Sequence, residues 1–516
     1  MNNSKNDFQI TLSKGLSVFL YILLSVILFI QLILFFQFTV DDAFISFRYG
    51  YNLVHFHTWN YNIMSAPTEA YTSFLYTVLG IIPNLIHIDI VLFFKIFSLI
   101  ILFFFLFYIY RSTNDKNNIV YFLSIACIIL NPTFFIHLFS GLETPLFMLC
   151  LFLTLCYFIK KNIPDYIEYI IIFIFPLIRP EGILFSLFSI YLIMRQKGFK
   201  PGKQLNTFIT IIALWIIYFV LRLLYFHSLL PNPFYAKTMT DSSVLKNIIL
   251  NTKSGFYYIV IFLGVIFLVK DKIFREFALI SLIIFIFVYA RSELVMDYAS
   301  RFKFQIFFPF IVFSMLLPYR FFERTAKVII VLIPVAVIIL NFKIYEKDIF
   351  KATYVYMSTL NNTGKILNEY KSDNYKILIG EAGIIPYKSE LETIDFLGLA
   401  TTSVAKNGID INVLEKENPD IVVLYEAYQF DQSSRSPEWV KKETMLKEFM
   451  KDDFQILAKV QNNSQNFYLT YYIKKINFEK NPVMHNNISK KLTELNNSDF
   501  NWKDYLNQKY IIEYLK

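Results

Sequence analysis

Val40-Asp41-Asp42-Ala43-Phe44-Ile45-Ser46-Phe47-Arg48-Tyr49 follows directly on an apolar run over residues 15–38. That run is long enough to cross the hydrocarbon of a bilayer, which takes roughly 17–25 residues. It is too long for the core of a signal peptide and lacks a small-x-small cleavage site, so it reads as a retained first span. A carboxylate pair at the end of such a span is costly to hold and serves no packing purpose. Asp41 and Asp42 are therefore functional candidates, and the fold turns on which side of a membrane they face.

Of the 516 residues, 56% are hydrophobic, 19% aromatic and 17% charged, the composition of an integral membrane protein. The net charge of +9 comes from Lys and Arg dispersed among short loops. Orientation in a membrane explains that dispersal, and the absence of a basic patch with a groove-reading motif excludes nucleic acid as a partner. Cys127, Cys150 and Cys156 lie inside apolar runs and read as small buried residues, not as ligands or disulfides.

Apolar runs recur near 15–38, 90–110, 119–138, 144–160, 165–179, 181–195, 206–228, 254–270, 276–290, 302–318 and 327–343. They predict about eleven spans. If the further stretch 71–87 lies at the interface, one set of loops holds sixteen Lys and Arg and the other eight, counted from Lys5 to Lys327. If 71–87 crosses, the bias inverts for every loop after the first, so the positive-inside rule makes 71–87 a juxtamembrane or re-entrant helix. The N-terminus is then cytoplasmic and the C-terminal part outside.

From about residue 345 the chain turns rich in Asn, Lys, Glu and Asp, with strand-like runs at 376–380, 421–425 and 467–473 and a helical pattern over 439–450. The reading is a helical polytopic membrane domain over 1–344 and an extracytoplasmic α/β domain over 345–516.

On the outer face the charged residues gather at span boundaries: Asp41, Asp42, Arg48, Glu69, Glu143, Arg179, Glu181, Arg222, Lys237, Asp297 and Arg301. Singly, each has a plain explanation. Pro145 and Pro180 punctuate span ends, Arg48 can pair with Asp41 or Asp42, and His55 and His57 suit an interfacial loop better than a metal. Jointly they outline a polar cavity open to one side. A carboxylate pair supplies a general base with a neighbour to orient it or tune its pKa, and guanidinium groups suit bidentate recognition of phosphate. That combination at a lipid boundary fits glycosyl transfer from a polyprenyl-phosphate sugar.

The stretches 40–49, Glu69-Ala70-Tyr71-Thr72-Ser73-Phe74-Leu75, Ser140-Gly141-Leu142-Glu143-Thr144-Pro145, Arg179-Pro180-Glu181-Gly182, Pro231-Asn232-Pro233-Phe234-Tyr235-Ala236-Lys237, Met296-Asp297-Tyr298-Ala299-Ser300-Arg301 and Gly380-Glu381-Ala382-Gly383 occur in this order. Together they resemble the GT-C superfamily of integral-membrane glycosyltransferases. The likeness is closest to the bacterial group of terminal β-arabinofuranosyltransferases. The resemblance implies a juxtamembrane helix after the first outer loop and a catalytic base in the acidic motif, assigned to Asp41 with Asp42 in support. The chain departs from the group in the aromatic, Gly-poor loop His55–Asn62 and in Glu293-Leu294-Val295 ahead of the Asp297 motif.

The expectation is an inverting glycosyltransferase of the bacterial inner membrane. Its donor is a polyprenyl-phosphate-linked sugar, with a pentose such as arabinofuranose one candidate. Its acceptor is an envelope glycan, a glycolipid or a protein. Arg48, Arg179, Lys237 and Arg301 are expected to bind the donor phosphate or sugar, and Glu143, Glu181, Tyr235 and Asp297 the sugar or acceptor. A divalent cation is compatible with the Asp pair but not required by the sequence. The competing reading is a transporter that flips a lipid-linked sugar.

Overall fold

The computed structural model describes residues 11–113, 119–198, 202–238, 244–253, 256–289, 297–317, 336, 339, 347–427, 437–462 and 467–495. Its first part is helical: α1 (Lys14–Phe35), α2 (Asp41–Phe56), α3 (Phe74–Leu79), α4 (Ile81–Leu85), α5 (Ile90–Ser112), α6 (Ile119–Ile129), α7 (Pro132–Phe139) and α8 (Thr144–Leu155). These are followed by α9 (Asp165–Ile178), α10 (Gly182–Lys197), α11 (Lys203–Phe226), α12 (Asn232–Thr238), α13 (Val244–Lys253), α14 (Phe256–Leu268), α15 (Lys272–Ile284) and α16 (Arg301–Met315).

Local chemistry places the helix ends. Ser13 and Asp89 cap α1 and α5 by accepting from the Leu16 and Leu92 amides at 3.3 and 2.9 Å. Asn131 caps α7 in the same way, and Pro132 at its first position breaks the run from α6, bending the pair by 55°. α16 forms the axis of the bundle, since every residue from Arg301 to Met315 is buried. Its phenylalanines interleave with those of neighbouring helices, as in the stack of Phe262 on Phe307 with ring centres 4.3 Å apart. The three cysteines are buried and unbridged.

Among the described residues, three helices are long and apolar enough to cross a membrane: Lys14–Phe35, Ile90–Ser112 and Gln204–Phe226. Five spans result if each of two bent pairs counts as one. This corrects the expectation of about eleven. Helices do form at most of the expected positions, but α9 and α10 have only 14 and 16 residues. At the α-helical rise they reach about 21 and 24 Å, short of a hydrocarbon core of roughly 30 Å. The expected span over 327–343 lies outside the described residues apart from two isolated positions. The stretch 71–87 forms α3 and α4, of six and five residues, too short to cross. α2 crosses this pair backbone to backbone: a Cβ on Gly50 would lie 2.5 Å from the Gly80 carbonyl carbon.

After the helix Lys347–Leu367 the chain forms a five-stranded mixed sheet of β1 (Lys376–Ile379), β2 (Glu392–Asp395), β3 (Ile421–Ala427), β4 (Phe454–Asn462) and β5 (Phe467–Lys474). The order is β2-β1-β3-β5-β4; β1 runs parallel to β2 and β3, and β5 antiparallel to β3 and β4. The strands β1, β3 and β5 stand where the sequence predicts them. β2 has only four residues with a carboxylate at each end, and β4 carries a register shift between Ile456 and Ala458 that interrupts its alternation. One face of the sheet packs on Leu360, Tyr370, Ile385, Ile488 and Leu492, and that core runs on without a break to Phe44 and Phe47 of α2. The sheet is thereby fastened to the acidic motif.

Candidate functional site

The two aspartates part company. α2 begins at Asp41, and its preceding residue, Val40, is held by its amide donating to the Ser140 carbonyl at 3.1 Å. Asp41 is 3% exposed. Its Oδ2 accepts from the Gly383 amide at 2.9 Å and its Oδ1 from the Ile384 amide at 2.7 Å, so both oxygens cap the helix Ile384–Ser389. Burial holds its carboxyl well above the usual range; Glu381 and Asp42 nearby add to this, and the two amides oppose it. Asp42, half-buried one step along the helix, points to a different place.

That place is an open cleft of about 520 Å³ including its mouth. Among its lining residues are Asp42, Ser46, Glu143, Arg179, Arg301 and Leu399. Asp42 and Ser46 share a face of α2 by their i,i+4 spacing. Glu143 precedes α8, Arg179 ends α9, and Arg301 begins α16, so the chain ends of an apolar bundle bring three charges to one point. Glu143 Oε1 accepts from Arg301 Nη2 at 2.9 Å and, at closer range, from Arg179 Nη1. Arg179 Nε also bonds Glu181, and Tyr289 donates to the same Glu181 oxygen. Both guanidinium carbons lie over the Phe302 ring, at 5.3 Å for Arg179 and 5.2 Å for Arg301. Burial alone would raise the Glu143 carboxyl; Arg301 and Arg179 more than reverse this and hold it below its ordinary value. Two carboxylates balance two guanidiniums, so the arginines are held rigid and nearly neutralised until something anionic competes for them.

Of the expected site residues, Asp42, Glu143, Arg179 and Arg301 line the cleft, and Glu181 stands behind Arg179. Asp41 and Arg48 do not line it. Arg48 donates to the carbonyls of Tyr61 at 2.8 Å and Leu391 at 2.7 Å, tying α2 to the approach to β2. Asp297 is an end-piece of α16: it accepts from the Phe302 amide at 3.0 Å and pairs with the buried Lys303 at 2.5 Å. Tyr235 accepts from the Leu230 amide at 3.3 Å and its ring lies under Lys406; the cleft instead receives Pro233 from the same segment. Lys237 lies on α12, where its side chain falls outside the described atoms.

Three supports stand behind these residues. Glu69 and Arg222 form a buried pair, 3.0 Å from Nε to Oε1 and 2.5 Å from Nη2 to Oε2, that joins the 69–73 segment to α11. Lys95, near the start of the long apolar α5, donates to the carbonyl of Phe38 and, at 2.6 Å, to that of Phe139, bracing the two turns that flank the acidic motif. Asp395 accepts from the Leu397 and Ala400 amides at 2.8 and 2.9 Å, shaping the loop that brings Leu399 to the cleft; burial pushes its carboxyl up to about 6. A charge inside an apolar run singled out Arg222 and was the available signal for Lys95. Their partners, up to 153 residues away, left none. Among the described residues, no three His, Cys, Asp or Glu side chains come together in a way that would hold a metal ion.

No curated protein and no solved structure matches the chain. Residues 347–472, from the helix Lys347–Leu367 into β5, match a family described as a domain of unknown function (DUF8728).

Proposed function

We propose that the chain is a membrane glycosyltransferase that moves a sugar from a polyprenyl-phosphate donor to a hydroxyl of an envelope glycan, glycolipid or protein. The observation that carries the reading is the convergence of Asp42, Glu143, Arg179 and Arg301 on one cleft at the ends of apolar helices. Asp42 takes the role first given to Asp41, because both Asp41 oxygens are engaged by backbone amides. In this mechanism Asp42 accepts the proton of the acceptor hydroxyl. The acceptor oxygen bonds to the anomeric carbon from the face opposite the phosphate, the bond from that carbon to the phosphate oxygen breaks, and the configuration inverts. Lipid phosphate leaves with the bonding pair and is stabilised by Arg301 and Arg179, which exchange Glu143 for the new anion.

Proteoliposomes supplied with synthetic polyprenyl-phosphate sugars, among them the arabinofuranosyl lipid, and a lipid-anchored glycan acceptor are expected to release polyprenyl phosphate and extend the acceptor. Movement of the sugar lipid between leaflets with no new glycosidic bond would mark the protein as a transporter instead.

The setting is a bacterial inner membrane with the N-terminus in the cytoplasm and the cleft and sheet outside. The flanks of the three long apolar helices support this. Lys5 and Lys14 lie before or at the start of α1, Arg111 and Lys116 at the end of or after α5, and Lys200 and Lys203 before or at the start of α11. Each assignment puts the cations on the side away from Asp42. A reporter enzyme that folds only outside the cytoplasm, fused after Lys516, is expected to be active. Activity from a cytoplasm-only reporter at the same point would reverse the orientation.

A further inference from the structure

The lining of the cleft divides by chemistry. Glu143, Arg179 and Arg301 supply its charge from α8, α9 and α16, with Asp42 facing the same space from α2. The remaining polar lining is uncharged and hydroxyl-bearing: Ser46, one turn beyond Asp42, and Tyr71, Thr72 and Ser73 on the segment leading into α3. No Lys, Arg, Asp or Glu intrudes between residues 70 and 73.

Ser73 is the telling residue. It occupies the cap position of α3, where a serine ordinarily turns its hydroxyl back onto the helix amides, yet its side chain makes no capping bond. Its Oγ is buried and has no hydrogen-bond partner among the described residues, although the residue is only 2% exposed and lines the cleft. A buried hydroxyl left unmet costs free energy, so native structures rarely keep one without a reason. The neighbouring Tyr71 hydroxyl is committed, accepting from Trp59 Nε1 at 3.1 Å, which fixes its place on the wall. Glu69 and Arg222 anchor the same segment to α11, so Ser73 is presented from a braced support.

We propose that Ser46, Thr72 and Ser73 form a subsite for a neutral, hydroxyl-rich ring, with Ser73 Oγ a specificity-determining partner for one ring hydroxyl. The inference rests on the donor reading above and sharpens it: the sugar carried on the lipid phosphate is a neutral aldose, not a uronic acid. Hydroxyls that both donate and accept suit a polyol. A carboxylate on the ring would find no cation among these residues.

The test uses the full chain in lipid nanodiscs with three probes: farnesyl phosphate, its neutral glycosyl diester with arabinofuranose or mannose, and its glucuronosyl diester. Wild-type protein is expected to bind a neutral glycosyl diester more tightly than the glucuronosyl one. Ser73→Ala is expected to weaken the neutral diester about tenfold and leave farnesyl phosphate unchanged, the loss of one well-placed hydrogen bond. Arg301→Gln should weaken all three. Equal weakening of farnesyl phosphate and the neutral diester by Ser73→Ala would make Ser73 structural and overturn the subsite. So would unchanged binding throughout, or a preference for the glucuronosyl lipid. Failure of wild-type protein to bind any of the three would remove the donor reading itself, and the subsite with it.

Discussion

Asp42→Asn is expected to abolish glycosyl transfer while leaving the protein folded, inserted and able to bind donor. The amide matches the carboxylate in shape and keeps an oxygen in the cleft, but it cannot take the acceptor proton. General-base catalysis is typically worth about 10²–10⁴-fold, and a loss of that size in kcat is the expected reading. Donor affinity, set by the arginines, should stay within about threefold, less than the value of one ordinary hydrogen bond. Asp41→Asn should look different. Asp41 meets two amide donors with two oxygens, and an asparagine has one oxygen and would turn an NH₂ group toward the second amide. That variant is expected to melt lower and to lose activity in step with stability. Full activity in Asp42→Asn, together with a dead but equally stable Asp41→Asn, would return the base to Asp41.

Gly383→Ala is expected to damage the protein severely. A Cβ there would sit 2.0 Å from the Asp41 carbonyl oxygen and 2.5 Å from its Cγ, with no flexible chain end to move aside. Overpacking usually costs about 1–3 kcal/mol, and contact with fixed backbone belongs at or above the top of that range. The methyl group would push the helix Ile384–Ser389 off Asp41, so both the melting temperature and transfer activity should fall. Gly264→Ala is the matched control, since nothing lies within 4 Å of a Cβ at that position. A Gly383→Ala protein with the melting temperature and activity of the control would show that the Asp41 contact is dispensable.

The sequence made some of this legible and hid the rest for physical reasons. Charges at the ends of apolar runs are costly, and that cost singled out Asp42, Glu143, Arg179 and Arg301, all of which line the cleft. Three strands were readable because β-branched and aromatic residues crowd 376–379, 421–425 and 467–473. Span number was not readable, because apolar runs such as those of α9 and α10 say that a helix is buried without saying whether protein or lipid buries it. Nor was the division of labour between the two aspartates. It depends on amides of Gly383 and Ile384, and backbone groups carry no signature in a sequence. Arg48 and Asp297 misled for a related reason: a charge near a site can serve carbonyls or a neighbouring lysine, as these two do.

The bond between Asp41 and Gly383 closes a loop of 342 residues. A chain emerging from the ribosome therefore inserts its first helix, with Asp41 at the end, long before the amides that will meet that carboxylate exist. Throughout that interval the acidic motif is open to water and the cleft lacks Leu399, so a nascent or truncated chain has no assembled cleft. Completion of the cleft is a late event in synthesis, timed by the passage of residue 399.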